Sequence, residues 1–190
     1  MSDFQNFIET PLQEIKLERL KGDGLILDIG GGGEGLVSRI EGDRVCALDI
    51  RMSEIREAQI HGHSTNWLVA DGRHLCFKAE VFDIVTLWFS LGFMSDRDTK
   101  KAVLEGAYQV LRWDGQISIL ASHVPASGAS LIFWANFILP DGTLSKTGYG
   151  IRGGQNQTLP SIMELVTDLG FKQPQYEDHG EWFKLIAQKE

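Results

Sequence analysis

The chain has 190 residues, of which 43% are apolar and 23% charged, and its formal net charge is −8. This length suits one sizeable core, so we expect residues 1–190 to form a single domain, and the composition excludes disordered and fibrous classes. Because affinity for a phosphate backbone comes from clustered Lys and Arg, an acidic chain of this kind is not expected to bind nucleic acid.

The sequence carries no feature of export or of membrane insertion. The N-terminal stretch is polar, and the longest apolar segment, residues 129–139, is too short to span a bilayer. Cys46 and Cys76 lack the spacing of a metal site or of a redox motif. We therefore expect a cytoplasmic protein with two reduced thiols and no membrane partner.

The first predicted element is a helix that begins at Thr10 and ends at Gly22. Threonine as the N-cap, Pro11 at the first helical position and Gln13 three residues after the cap would satisfy the unpaired N–H groups of such a helix. Residues 1–22 are thus predicted to form an N-terminal helical segment.

Strands and helices then alternate along the chain. Apolar runs of strand length predict buried strands over 25–29, 45–49, 67–71, 82–89 and 116–121. Helices are predicted over 34–40, 53–60, 95–112 and 161–170, followed by strands over 173–177 and 182–187. This pattern predicts an α/β fold, with a single Rossmann-like, doubly wound, mostly parallel seven-stranded sheet, an antiparallel edge hairpin and helices on both faces.

One long insertion, residues 122–157, interrupts the alternation. Its segment 129–139 is apolar all around a helical wheel, so it must be buried against this domain, a bound substrate or a second subunit, the last of which would give a homodimer. Tyr149 and Arg152 follow in a glycine-rich piece that suggests a flap.

Acidic residues stand at the carboxyl ends of three predicted parallel strands, where ligands bind in open α/β sheets. Asp28 precedes a glycine turn at residues 30–35, Asp49 ends the second strand and Asp71 ends the third. Asp49 lies at the distance from Gly30 at which an acid typically binds ribose hydroxyls. A cationic ligand is favoured over a pyrophosphate at this turn, because a like-charge contact near 4 Å costs roughly 1–4 kcal/mol.

Five segments in order resemble the motifs of class I S-adenosylmethionine-dependent methyltransferases. They read LDIGGGG from residue 27, ALDI from 47, ADGRHLCF from 70, VFDIVT from 81 and VLRWDGQ from 110, and the likeness spans residues 24–122. One departure is Glu34, which stands where the family usually has its third motif glycine, with Gly35 displaced by one.

The resemblance implies S-adenosylmethionine as methyl donor, S-adenosylhomocysteine as product and a small or medium-sized molecule as acceptor. The residues that it implies for cofactor binding are Asp28, Gly30, Gly31 and Gly32 for the methionine portion, Asp49 for the ribose, Ile50, Asp71 and Gly72 for the adenine, and Leu87 and Trp88 for the methyl end.

The resemblance also implies that the insertion, residues 122–157, lies over the acceptor site, because it falls where this family varies to form that site. Candidate acceptor-site residues lie at strand ends and in the insertion, and they are Phe89, His123, Trp134, Tyr149 and Arg152. His123 is the one candidate general base, and its alternative is a hydrogen-bonded loop histidine without a catalytic role. No metal is expected, because His61 and His63 have no third ligand nearby in sequence.

Two alternatives to methyl transfer remain at this point. The first is a non-catalytic binding protein that keeps the nucleotide fold. The second is an NAD-dependent oxidoreductase, because Gly30-x-Gly32-x-x-Gly35 matches the dinucleotide fingerprint. The acids beside the glycine turn and the absence of a Tyr-x-x-x-Lys pair count against the second alternative.

Overall fold

The structure is a computed structural model that describes residues 7–61 and 64–190. Its strands are β1 (Phe7–Glu9), β2 (Gln13–Lys16), β3 (Ile26–Ile29), β4 (Val45–Asp49), β5 (Asn66–Val69), β6 (Phe82–Trp88), β7 (Leu111–Ser122), β8 (Ser130–Ile138), β9 (Leu144–Ile151), β10 (Phe171–Asp178) and β11 (Trp182–Lys189). Its α-helices are α1 (Leu36–Glu41), α2 (Met52–Gln59), α3 (Arg97–Val110) and α4 (Leu159–Asp168), with 3₁₀ turns at Gly42–Arg44 and Leu91–Phe93.

The main sheet has seven strands in the order β10-β11-β7-β6-β3-β4-β5. The strands from β7 to β5 run parallel, whereas β11 is antiparallel to both β7 and β10. The predicted doubly wound sheet with an antiparallel edge hairpin is therefore confirmed. From β3 the chain proceeds outward to β4 and β5, then crosses back to β6, so the strand order reverses between β3 and β6 and opens a crevice there.

Helices cover both faces of this sheet, which explains why its central strand is apolar almost throughout. All four residues of β3 are buried. On one face, Leu27 and Ile29 pack in the cluster that holds side chains from α3 and α4. On the other face, Ile26 packs with Val37 of α1. A strand covered on both faces reads as a continuous apolar run.

A second, smaller sheet covers the α1 side of the main sheet. In it β1 and β2 run parallel to one edge of β8, and β9 pairs antiparallel with the other edge. Its inner face contributes Phe133, Ala135 and Phe137, all fully buried, to a cluster that also includes Leu36 and Ile40 of α1. This sheet belongs to the predicted insertion and to the N-terminal segment, and the sequence patterns did not predict it.

The predicted N-terminal helix is wrong. Thr10 does not cap a helix, because its N–H donates to Ile132 O at 3.0 Å and its Oγ1 accepts from Trp134 N at 3.1 Å. Ile15 and Leu17 are buried two residues apart, which is the period of a strand. Residues 1–6 lie outside the described ranges, and the single domain over 1–190 stays a prediction.

Segment 129–139 forms strand β8 rather than an apolar helix. Its inward residues alternate with Trp134, which is 40% exposed on the opposite face. The apolar side chains of this segment are buried within the same chain, which is one of the three possibilities that the sequence left open. A homodimer through this segment stays a prediction. The proposed flap is likewise ordered, because Tyr149 lies within β9. None of the described helices is long and apolar enough to cross a membrane.

Candidate functional site

A cavity of about 450 Å³ opens at the carboxyl ends of β3, β4, β5 and β6. This volume lies in the range usual for sites of small molecules and cofactors. Five of the ten predicted cofactor residues line it, namely Gly30, Asp49, Ile50, Asp71 and Gly72. The structure thus brings together residues from three predicted strand ends, at the reversal of strand order where open α/β sheets bind their ligands.

The glycine turn passes close to neighbouring side chains, which is why it contains glycine. Gly30 has φ +73°, and a Cβ built on it would lie 2.5 Å from Ser90 Cβ. A Cβ on Gly31 would collide with the Asp28 carboxyl group, and one on Gly32 would lie 2.8 Å from Asp49 Oδ2. The turn is therefore held directly against two of the predicted ligand-binding acids.

Glu34, the departure from the family pattern, contacts the second sheet. Its carboxylate accepts a hydrogen bond from Ser145 Oγ, and Ser145 Oγ in turn accepts one from Arg39 Nη1 at 3.0 Å. Gly35, with φ +58°, then precedes the first residue of α1. The acid thus fastens β9 to the glycine turn rather than entering the cavity.

Asp28 is buried beneath the glycine turn, with 2% of its surface exposed. Thr86 Oγ1 donates a hydrogen bond of 2.7 Å to Asp28 Oδ1. Burial raises the pKa of Asp28 to about 7, the hydrogen bond from Thr86 opposes this effect, and the charge of Asp49 adds to it. A carboxyl group poised near neutrality beside a ligand cavity is typical of functional sites.

Asp49 and Asp71 differ in how their carboxylates are engaged. Asp49 Oδ1 accepts from Arg51 N at 2.9 Å, and among the described residues no group donates to its Oδ2. Both oxygens of Asp71 accept from the Arg73 guanidinium, at 2.6 Å for the shortest contact, and Oδ1 also accepts from Arg73 N at 2.9 Å. These hydrogen bonds from Arg73 lower the pKa of Asp71 to about 2.

Leu87 and Trp88 lie away from the cavity lining. Leu87 is fully buried in the main core, and Trp88 donates from Nε1 to Ser118 Oγ at 3.1 Å. The carboxyl end of β6 reaches the cavity instead through Ser90 and Phe93.

Phe89 and Tyr149 meet in an aromatic cluster between the main sheet and the second sheet. The Phe89 ring stacks on Phe133 at 5.4 Å and on Tyr149 at 5.8 Å. Tyr149 also meets the edge of Phe93, a cavity residue, at 6.1 Å. Burial raises the pKa of the Tyr149 hydroxyl above its ordinary value, and the charge of Glu34 adds to the shift.

The other three acceptor-site candidates are dispersed. His123 Nε2 lies 3.0 Å from Asp178 Oδ1 of β10, and His123 does not line the cavity. Trp134 Nε1 donates to Glu9 Oε2 at 2.9 Å on the outer face of the second sheet. Arg152 follows β9, where its carbonyl accepts from Gln155 Nε2 at 2.7 Å. His63 lies outside the described ranges, within which no group of three His, Cys, Asp or Glu side chains could hold a metal ion.

Eleven of the sixteen residues that line the cavity were not among the predicted cofactor residues. Those of the eleven that bear polar or large side chains are Arg51, Arg73, Ser90, Phe93, Met94, Ser95 and Thr99. Ser90 is the first polar residue after β6, but a single serine at a strand end is too common to indicate a ligand site. Arg51 follows β4 and Arg73 follows β5, whereas the remaining side chains come from the loop after β6 and from the start of α3. Their contribution depends on how these loops fold.

A family model described as "Methyltransferase domain" matches residues 27–119. This range begins in β3, ends in β7 and contains the whole lining of the cavity, whereas the second sheet lies outside it. The chain is also 29% identical over 99 residues to a demethylmenaquinone methyltransferase of Lactobacillus johnsonii. That alignment covers 49% of this chain and 39% of the Lactobacillus protein.

Solved structures with the same fold cover nearly the whole chain. An S-adenosylmethionine-dependent methyltransferase from Mesorhizobium loti aligns with 91% of this chain and 94% of its own, with a TM-score of 0.65 and 16% identity. A complex of DhpI with S-adenosylhomocysteine aligns with 86% of this chain and 76% of its own, with a TM-score of 0.63 and 18% identity. At these identities the likeness concerns the fold.

Proposed function

Because this chain belongs to the class I S-adenosylmethionine-dependent methyltransferases, we propose that it transfers the methyl group of S-adenosylmethionine to a small or medium-sized acceptor. The observation that carries the proposal is the convergence of Gly30, Asp49, Ile50, Asp71 and Gly72 on one cavity. The sequence motifs assign the same five residues to S-adenosylmethionine. Asp28 and Asp49, whose carboxyl groups lie against the glycine turn, also suit a cofactor that carries an ammonium and a sulfonium.

In this proposal each part of the cavity holds a different portion of the cofactor. Asp49 Oδ2 accepts from the ribose hydroxyls, since no described group occupies it. Ile50, which is 61% exposed, provides an apolar surface for the adenine. Asp71 takes the adenine amino group only when Arg73 shifts, because the guanidinium engages both carboxylate oxygens.

The bound cofactor would supply a methyl group on a positively charged sulfur, which a nucleophile displaces directly. The contribution of the chain is to align the acceptor and to exclude water. Of the described residues, those lining the cavity include two carboxylates and two guanidinium groups but no imidazole. We therefore assign no general base. In this proposal the contact between His123 and Asp178 is structural and joins the end of β7 to β10.

The acceptor is proposed to enter beside Phe93, on the side that faces Tyr149. Phe93 is 51% exposed and lines the cavity, and Tyr149 links it to Phe89 and the second sheet. Aromatic rings of this kind favour an acceptor with a flat apolar portion. We further propose that the protein works in the cytoplasm, where the free thiols of Cys46 and Cys76 would stay reduced.

The first test compares thermal unfolding with S-adenosylmethionine, S-adenosylhomocysteine and NAD(H). A ligand at a hundred times its dissociation constant adds about 2.7 kcal/mol of stability. We expect this shift with both sulfur compounds in the wild type and its loss in Asp49→Ala, with Asp141→Ala as the matched surface control. A shift with NAD(H) and none with either sulfur compound would favour the oxidoreductase alternative instead.

The second test asks whether bound cofactor is turned over. S-adenosylhomocysteine release is measured over a panel of acceptors that includes demethylmenaquinone, the compound named for the Lactobacillus relative. We expect release with at least one flat apolar acceptor. Cofactor binding without release on any member would favour the non-catalytic binding protein.

A further inference from the structure

Lys100 of α3 is a buried lysine whose partner is a neutral side chain. It is 2% exposed, and its Nζ donates a hydrogen bond of 2.8 Å to Gln155 Oε1. Among the described residues, no salt bridge includes Lys100. Burial lowers its pKa to about 8, so the charged form is held at an energetic cost. Because lysines are almost never fully buried without a partner, the role of Lys100 must be sought in its contact with Gln155.

Lys100 determines which way the Gln155 amide points. A lysine side chain has donors and no acceptor, so it pairs with the amide oxygen and leaves both N–H groups of Gln155 to other partners. Gln155 Nε2 donates to Gly92 O at 2.8 Å and to Arg152 O at 2.7 Å. The side chain of Gln155, which is 8% exposed, thus uses its oxygen and both N–H groups. Through this amide, α3 and the loop after β9 are joined to the backbone that follows β6.

Gly92 lies in the 3₁₀ turn Leu91–Phe93, whose last residue lines the cavity. A Cβ built on Gly92 would lie 3.2 Å from Ile151 Cδ1 and Cγ2, so the end of β9 packs closely against the turn. The ring of Phe93 meets Tyr149 edge-on at 6.1 Å. The amide of Gln155 and the end of β9 therefore both hold the turn that places Phe93 in the cavity wall.

We propose that Lys100 and Gln155 are positioning residues that fix Phe93 at the acceptor side of the cavity. Neither residue is among those that line the cavity. Lys100 orients the amide, and the amide holds Gly92 O and with it the turn. This inference rests on the proposed function, in which the acceptor enters beside Phe93. Because methyl transfer depends on alignment of the acceptor, a displaced Phe93 should impair use of the acceptor more than binding of the cofactor.

Amide hydrogen exchange measured by NMR tests this positioning without an acceptor. The N–H groups of Phe93 and Met94 donate within the turn, at 3.1 Å and 3.0 Å. Gln155→Glu keeps an acceptor for Lys100 but replaces the two N–H donors by a carboxylate oxygen, which repels Gly92 O. We expect exchange at both turn amides to become about tenfold faster, the effect of losing one hydrogen bond. This acceleration should exceed any change in the central strands, whose exchange reports global stability.

Steady-state kinetics with an acceptor from the panel described above measures the consequence for the reaction. In Gln155→Glu we expect the KM for the acceptor to rise about tenfold, and the calorimetric affinity for S-adenosylhomocysteine to stay within about twofold of the wild type. The double variant Lys100→Met/Gln155→Met removes both polar partners and leaves no buried charge, so it keeps the test valid if Gln155→Glu does not fold. It should give the same faster exchange and the same rise in KM.

Gln157→Glu is the matched control, because Gln157 is also buried but its Nε2 donates to Ser122 O, at 2.8 Å, rather than to the turn. It should lower the stability of the protein and leave turn exchange and the acceptor KM as in the wild type. Wild-type turn exchange in Gln155→Glu and in the double variant would overturn the proposal, and so would equal losses of acceptor and cofactor binding. A wild type that turns over no acceptor would instead refute the proposed function, while the exchange result would still decide whether Gln155 holds the turn.

Discussion

The buried carboxyl group of Asp28 makes a strong prediction about pH. Burial raises its pKa to about 7, so in the free protein it changes charge within the physiological range. In the proposed complex the ammonium of the cofactor lies beside this residue and favours the ionised form. Cofactor binding should therefore release a proton at pH 6 and release little at pH 8. The perturbations are pH itself and the neutral, nearly isosteric variant Asp28→Asn.

The size of the effect follows from the population of the ionised form. With a pKa of about 7, about one molecule in eleven is ionised at pH 6 and about ten in eleven at pH 8. If only the ionised form accepts the cofactor ammonium, affinity should fall by about tenfold between pH 8 and pH 6. Thr86→Val should steepen this loss, because removing the hydrogen bond to Asp28 Oδ1 raises the pKa of the carboxyl group further.

The same group affects the stability of the free protein with a definite sign. Its folded pKa is higher than its unfolded one, so its contribution is complete below about pH 4 and is lost as pH rises through about 7. Three pKa units correspond to about 4 kcal/mol, which is an upper bound for the loss between these pH values. Asp28→Asn should remove this dependence, because an amide does not titrate.

Calorimetric titration with S-adenosylhomocysteine between pH 5.5 and 8.5, in two buffers of different ionisation enthalpy, measures both affinity and proton release. Denaturant unfolding over the same range measures stability. The control is Asp71→Asn, which removes a carboxylate whose pKa is already lowered to about 2 and should leave the slope between pH 6 and 8 intact. Wild-type affinity that is constant across this interval, or an unchanged slope in Asp28→Asn, would refute the reasoning.

Three further predictions concern residues around the cavity. Lys100 is buried, its Nζ donates to Gln155 Oε1 at 2.8 Å, and burial lowers its pKa to about 8. The free energy of unfolding should therefore rise between pH 8 and 10 by up to about 3 kcal/mol. In denaturant unfolding, Lys100→Met should flatten this rise. Arg73→Ala frees both oxygens of Asp71 and should tighten S-adenosylhomocysteine binding in calorimetry by about threefold. Weaker binding would mean that Arg73 itself holds the cofactor. Phe89→Gly should be more stable to denaturant than Phe89→Ala by about 1 kcal/mol. Both variants lose the ring, but only glycine accepts φ +58° without strain. The opposite order of stability would show that the backbone at this position is not strained.

The central strands could be predicted from the sequence because their environment is nearly uniform. β4 occupies Val45–Asp49, the residues that the apolar run indicated, and β6 differs from its prediction by one residue. Strands covered on both faces leave a continuous apolar signal that does not depend on remote partners. The acids at their ends could be predicted for the same reason, because strand ends fix where side chains converge.

The N-terminal strands could not be predicted because a distant partner decides their conformation. Local capping signals at Thr10 favoured a helix, yet its N–H and Oγ1 both pair with β8, more than a hundred residues along the chain. Residues 129–139 are apolar enough for a buried helix, but burial of Phe133 and Phe137 at alternate positions follows from pairing with β9 and β2. Strand pairing of this kind depends on tertiary contacts, which can outweigh the local secondary-structure propensity of a segment.

Ser90 and Phe89 show why the site itself was only half predictable. In a regular strand consecutive side chains point to opposite faces of the sheet, and an apolar Phe followed by Ser would indicate nothing more. The positive φ at Phe89 instead accompanies a ring that packs against Tyr149 of the second sheet, on the proposed acceptor side, while the next residue, Ser90, lines the cofactor cavity. Methyl transfer requires donor and acceptor to be aligned within a fraction of an ångström, and in the proposed function two adjacent residues of one turn lie beside the two ligands. A variant that relaxes this turn should therefore lose turnover more strongly than it loses cofactor affinity.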